Sequence, residues 1–271
     1  MAILAEYFRP RTLSEALKLL ADHKSRRVPL AGGTYLVGAL ETRQRRNVDG
    51  VIDLAGLDLS YIKDFDSSLH VGSMTTLSEL VEHPVCEKMA GGILPETARF
   101  EGPQNLRNAA TIGGLVALAE PDSELYAALL ALNVSVVTVD TDGAESHTQL
   151  EDFTLSNPQP PRGTELITEI RLPLRQGSAG HARIARTPMD RCIVAAVVVA
   201  GERESSRPGS ASNGESGDST RTALCGLGPR PQLADRPLVP VADFKGSAAY
   251  RSAMAEVVGR RALIAAMAAN P

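Results

Sequence analysis

The 271-residue sequence is poor in cysteine: Cys86, Cys192 and Cys225 are widely separated and form no CxxC pair. Three dispersed thiols cannot supply the four thiolates of an iron–sulfur cluster or a structural zinc site. An odd count also argues against a disulfide scaffold, because the opening MAILAEYFRP lacks the basic and apolar stretches of a secretory signal. A basic excess is missing as well. Twenty-eight Lys and Arg against 32 Asp and Glu leave a net charge of −4, the wrong sign for a nucleic-acid binder or a polybasic membrane anchor. The longest apolar run, Ile193 to Ala200 (IVAAVVVA), is far short of the roughly 20 residues needed to cross a bilayer. Five histidines, at 23, 70, 83, 147 and 181, make no HxxxH or HExxH spacing and read as surface or hydrogen-bonded residues rather than metal ligands. These absences lead to the expectation of a soluble cytoplasmic protein with no metal site of its own.

What is present is an ordinary globular composition, 43% hydrophobic and 22% charged, with alternating helix and strand signals. Thr12 with Glu15, and Thr76 with Glu79, have capping-box spacing ahead of apolar helical repeats. Val28–Ala31 and Val51–Leu54 read as short strands. Tyr61–Phe65 and Leu69–Gly72 flank a turn and predict a hairpin. The stretch from Val85 to Phe100 reads as helix in pieces, DSELYAALLAL as a helix, and Asn133–Asp140 and Glu165–Leu172 as strands. The last third reads as a separate unit, with strands at Cys192–Ala200 and Arg221–Leu227 and a helix at Ser247–Ala269. Between those strands, residues 202–220 are rich in Ser, Gly and charge and read as a mobile hairpin loop. Cys192 and Cys225 read as buried hydrophobes, and Arg43, Arg45 and Arg46 as a solvated basic face or a docking surface for a partner.

Two glycine turns carry the chemistry. AGGTYLVG (Ala31–Gly38) follows a strand and precedes a helix, and ATIGGLVALAEPDSE (Ala110–Glu124) precedes another. Consecutive glycines let backbone amides approach a ligand closely, and a helix start adds positive partial charge, which together suit phosphate. Neither turn is a GxGxxG or GxxxxGK[ST] loop, so each taken alone is equally a tight turn or a site of close packing.

AGGTYL, RNAATIGG and AEPDSE in this order resemble the FAD-binding middle subunit of molybdenum hydroxylases, the family of aerobic carbon monoxide dehydrogenase and xanthine dehydrogenase. The resemblance extends through VIDLAGLDLSYI, LHVGSMTTLSEL, GTELITEIRLP, RIARTPMD and YRSAMAEVVGRRAL, nearly the whole chain. It implies an α+β fold: a two-part FAD-binding body of the vanillyl-alcohol-oxidase type with FAD in the cleft between the parts, then a small antiparallel sheet with helices. The implied divisions are 1–55, 56–176 and 177–271. By the same resemblance, Ala31, Gly32, Gly33, Thr34, Tyr35 and Leu36 form the loop around the FAD pyrophosphate. Thr111, Ile112, Gly113 and Gly114 form a second loop whose hydroxyl and amides also face the phosphates. Glu124 falls near the adenosine end, Ile167 lies in the strand near the flavin, and Arg183 stands where Lys is common.

Four positions depart from the family pattern: Leu115 replaces Asn, Tyr35 replaces Asp or His, Glu124 replaces Asp, and Thr187 replaces Arg. Loss of the Asn amide would weaken cofactor binding by about 1–3 kcal/mol if its partner stays buried and unpaired. The resemblance implies non-covalent FAD, with molybdopterin and [2Fe–2S] clusters only on a large molybdenum-cofactor subunit and a small iron–sulfur subunit, in a heterotrimer or a dimer of heterotrimers. Electrons would pass from the clusters through FAD to an external acceptor. No catalytic residue is assigned, since the sequence offers no acid–base pair and the flavin would carry the redox chemistry. The alternatives are an independent flavoenzyme of the same fold and an assembly subunit that has lost flavin. Replacing residues 202–220 with a short Gly-containing turn is expected to leave melting temperature and flavin content nearly unchanged; a fall in either, measured by calorimetry and absorbance, would give the segment a structural role.

Overall fold

The computed structural model describes residues 4–156, 165–174, 177–201 and 220–269. They form an α+β fold with three sheets. The first holds β1 (Glu6–Phe8), β2 (Arg27–Leu30) and β3 (Gly50–Asp53), all parallel in the order β1-β3-β2. Its central strand is buried at every position, as a strand covered on both faces must be. The helix Leu13–Ala21 connects β1 to β2 and buries Ala16, Leu17 and Leu20. These pack with Ile52 and Leu54 and with Val139 and Leu166 of the next sheet, so one apolar cluster joins the two sheets. Thr12 Oγ1 caps this helix by accepting from the Glu15 amide at 3.2 Å. The returning Glu15 carboxylate accepts from the Arg11 amide at 3.1 Å, one residue earlier than a capping box requires.

The second sheet is antiparallel and five-stranded: β4 (Ile62–Asp64), β5 (Ser68–Gly72), β6 (Ser135–Asp140), β7 (Glu145–Gln149) and β8 (Glu165–Pro173), in the order β4-β5-β8-β6-β7. The expected hairpin is β4–β5, closed by reciprocal bonds between Phe65 and Ser68. The helix Leu77–Glu82 carries the full capping box read from the sequence, with Thr76 and Glu79 bonding each other's backbone.

The third sheet is antiparallel, in the order β12-β11-β10-β9: β9 (Gly177–Ile184), β10 (Val194–Gly201), β11 (Arg221–Cys225) and β12 (Gln232–Leu233). The helix Ala248–Ala268, capped by Ser247, lays Ala255, Val258, Ala262 and Ala266 on Val194, Ala196, Val198 and Leu224. Gly180 lets it come this close, because a Cβ there would stand 2.0 Å from the Ala262 carbonyl oxygen. β10 and β11 pair antiparallel as expected; residues 202–219, the expected mobile loop, lie outside the described residues.

The chain divides into two compact units: Met1–His83, Glu101–Glu120 and Asn133–Leu174 in the first, Pro84–Phe100, Pro121–Leu132 and Arg175–Pro271 in the second. Each division expected from the sequence carries one sheet, but two helical stretches of the middle division fold with the C-terminal unit. One is the broken helix from Pro84 to Ala98, interrupted by positive φ at Ala90, Gly91 and Gly92. The other is Glu124–Ala131, whose eight residues are all buried; a helix apolar on every side must be enclosed rather than laid on one face. No helix among the described residues is long and apolar enough to cross a membrane. Replacing Thr76 with Ala removes one partner from the capping box and should cost about 1 kcal/mol, read as a lower denaturant midpoint at unchanged slope.

Candidate functional site

Both glycine turns belong to the first unit, and their backbones touch. A Cβ on Gly32 would stand 1.8 Å from the Ala109 carbonyl oxygen, so only glycine permits this approach. Gly33 follows with φ +73°, the left-handed region that a β-branched residue resists. Its carbonyl accepts from the Val37 amide and starts the short helix Leu36–Glu41. The amides of Gly32, Gly33, Thr34 and Tyr35 have no hydrogen-bond partner among the described residues. Thr34 and Tyr35 are exposed, and Ala31, Gly32, Gly33 and Leu36 are half-buried. A run of successive unpaired amides is a concavity for an anion.

The second turn is built differently. Thr111 is buried and caps the helix Ile112–Leu118, its hydroxyl accepting from the Gly114 amide at 3.1 Å. The Ile112 amide donates to Thr75 O at 3.0 Å, and the Gly113 amide to Ser73 O at 2.9 Å. All three amides are therefore engaged by protein oxygens, and what this turn offers is shape. A Cβ on Gly113 would come within 2.7 Å of both the Ser73 Cβ and its carbonyl oxygen. The Ser73 hydroxyl, buried in the same place, has no partner among the described residues. Successive unpaired amides on a glycine turn, packed against a second glycine turn, fit a phosphate-bearing cofactor. The sequence reading passed over Ser73, because nothing local distinguishes it; only its placement opposite Gly113 does. Leu115, one position further, is half-buried.

Glu124 and Arg183 lie in the second unit, and there they bind each other. Arg183 Nε donates to both Glu124 oxygens, at 2.9 and 3.1 Å. Its remaining nitrogens donate to the carbonyls of Pro188 and Asp190, and the guanidinium stacks on the Phe100 ring at 3.9 Å. Glu124 is 1% exposed and also pairs with His181, Nε2 to Oε2 at 2.6 Å. The other ring nitrogen of His181 faces Glu96 at 3.1 Å. His181 thus links Glu124 to Glu96, a role that its lack of any metal-ligand spacing does not disclose. Its signal was present in HAR, since positions 181 and 183 share one face of a strand. Ile167 lies half-buried on β8 in the first unit, opposite Thr138.

A parallel layer feeding an amide-lined glycine turn, set against a second glycine turn, describes a module for holding a phosphate-bearing cofactor. The family described as the FAD binding domain in molybdopterin dehydrogenase matches residues 3–175, and the chain belongs to that family. It is 29% identical over 172 residues to the glyceraldehyde dehydrogenase medium chain of Sulfolobus acidocaldarius, covering 63% of this chain and 60% of that one. It therefore spans less than two thirds of that relative's length. With the carbon monoxide dehydrogenase medium chain of Afipia carboxidovorans it is 27% identical over 281 residues, 95% of each. In fold it resembles a chain of the carbon monoxide dehydrogenase from Hydrogenophaga pseudoflava, solved without the Mo-pyranopterin moiety of its cofactor. The TM-score is 0.85 over 99% of both chains, at 24% identity.

Burial alone would lower the pKa of His181, but the Glu124 and Glu96 carboxylates outweigh it and raise it from 6.5 to about 9. The folded protein therefore holds this proton more tightly than the unfolded chain does. The stability it contributes is complete below pH 6.5 and disappears as pH rises through about 9. Thermal midpoints should fall across that window in the wild type, and His181→Gln should flatten the fall; an equal slope in the variant would remove His181 as its source.

Proposed function

We propose that this chain is the FAD-carrying, electron-transferring subunit of a molybdenum hydroxylase complex. The observation that carries the reading is the row of unpaired amides from Gly32 to Tyr35. In this reading Ala31, Gly32, Gly33, Thr34, Tyr35 and Leu36 hold the pyrophosphate through backbone donors. Thr111, Ile112, Gly113 and Gly114 form the adjoining turn, which Gly113 seats against Ser73. Ile167, Glu124 and Arg183 are assigned to the cofactor by the family resemblance alone. Arg183 and Glu124 have their polar atoms occupied by protein partners, so their part is to shape rather than to donate.

When bound, FAD supplies redox chemistry that accepts electrons singly and releases them singly or in pairs. This chain's residues bind it, orient it and set its surroundings. Electrons would enter from the [2Fe–2S] clusters of a small partner subunit, fed by a large subunit with the molybdenum cofactor, and would leave to an external acceptor such as NAD⁺, a quinone or oxygen. The assembly is a heterotrimer or a dimer of heterotrimers in the cytoplasm. The substrate is oxidised on another chain.

The test begins with Gly33→Val, which opposes φ +73° and brings its branches against Val37 and Leu30, already 3.4 and 3.5 Å from a Cβ. The variant should stay folded by circular dichroism and lose bound flavin. Acid precipitation of the wild type should release the yellow chromophore to the supernatant, because the attachment is non-covalent. The isolated flavin-loaded chain should be reduced by an artificial donor but not by the organic substrate of the complex. Catalytic bleaching by that substrate alone would favour an independent flavoenzyme.

A further inference from the structure

Two of the three thiols meet in the second unit. Cys192 and Cys225 are buried, and their sulfurs are 3.6 Å apart, in van der Waals contact. Cys192 precedes β10 and Cys225 ends β11, where the ladder pairs Ala195 with Cys225. Beyond that pair the strand ends are drawn together. Gly226 adopts φ +80°, and a Cβ there would stand 2.2 Å from Ile193 O. Arg251 then fastens both ends from the C-terminal helix. Its Nη1 donates to Ile193 O at 2.7 Å and also to Gly226 O. These are the carbonyls of the residues that immediately follow each cysteine. Arg251 is 4% exposed and is oriented by Asp243 at 2.5 Å. The carbonyl that follows each cysteine is therefore held by one guanidinium. A disulfide needs the sulfurs to close from 3.6 Å to about 2.05 Å.

We propose that Cys192 and Cys225 are a redox pair that hydrogen peroxide closes into a disulfide. The Cys192 thiol loses its proton and its sulfur attacks one peroxide oxygen. The S–O bond forms, the O–O bond breaks, and the departing hydroxide takes up the proton to leave as water. The Cys225 sulfur then attacks the sulfenic sulfur. The S–S bond forms, the S–O bond breaks, and a second water leaves with the Cys225 proton. Two electrons pass from the sulfur pair to the peroxide. Cys192 adjoins the Arg186–Asp190 turn, where Met189 is 77% exposed, so local opening at this end admits an oxidant the size of two oxygen atoms. The bond joins positions 33 apart in the chain and locks β10 to β11. Cys86 is the internal control: it is as buried as the pair, but among the described residues the sulfur–sulfur contact joins Cys192 and Cys225 alone.

Full-length protein treated with hydrogen peroxide should yield, on non-reducing digestion, a peptide linking Cys192 to Cys225, two mass units lighter than the reduced pair. Thiols titrated after unfolding should fall from three to one and recover with dithiothreitol. The thermal midpoint of the oxidised form should rise by roughly 5–10 °C. Cys192→Ser and Cys225→Ala should each abolish both the link and the rise, while Cys86→Ser keeps both. Three titratable thiols after treatment, a sulfinic acid on Cys192 without a link, or a link to Cys86 would each overturn the proposal.

Discussion

The contact between two backbones, at Gly32 and Ala109, is the constraint on which the candidate site depends. A single Cβ at position 32 would collide with the Ala109 carbonyl oxygen, so the two turns meet only because that side chain is missing. Everything around the contact supports it. Thr76 and Thr111 form a bridge, Leu77 donates to Ala110 O, and Ile112 and Gly113 donate to Thr75 and Ser73. The second turn is thus a rigid wall made of satisfied hydrogen bonds. The first turn is its complement, a loop whose amides have no hydrogen-bond partner among the described residues. This division of labour is chemically sensible: a phosphate is bound best by donors already in place and unpaired, and donors stay in place only when the neighbouring wall cannot move.

The second unit rests on a different principle. Its four-stranded sheet and long helix are joined through small residues, and charges are buried only in company. Glu124 is enclosed by Arg183 and His181, and Arg251 by two carbonyls and Asp243. A buried charge left without its partner costs several kcal/mol, so these groups constrain the chain segments that carry them. Arg183 ties β9 to the Pro188–Asp190 turn, and Arg251 ties the C-terminal helix to the ends of β10 and β11. Membership of the FAD-binding family covers residues 3–175; the likeness of fold to carbon monoxide dehydrogenase covers the second unit as well.

Much of this was legible in the amino-acid sequence by itself. The Thr76–Glu79 capping box, the β4–β5 hairpin, the helix after Ser123 and the pairing of β10 with β11 are decided within a few residues or by an unbroken apolar pattern. The glycine turns were legible too, because paired glycines have few local reasons to occur. Tertiary structure decided that the Ile112 and Gly113 amides are engaged, since their partners, Thr75 and Ser73, are distant in the chain. It placed Ser73 against Gly113, enclosed His181 between two glutamates, and set Cys192 beside Cys225. It also took two stretches of the middle division into the C-terminal unit. Local spacing determines what a segment can form; strand order and register determine which side chains meet, and no short-range rule encodes them.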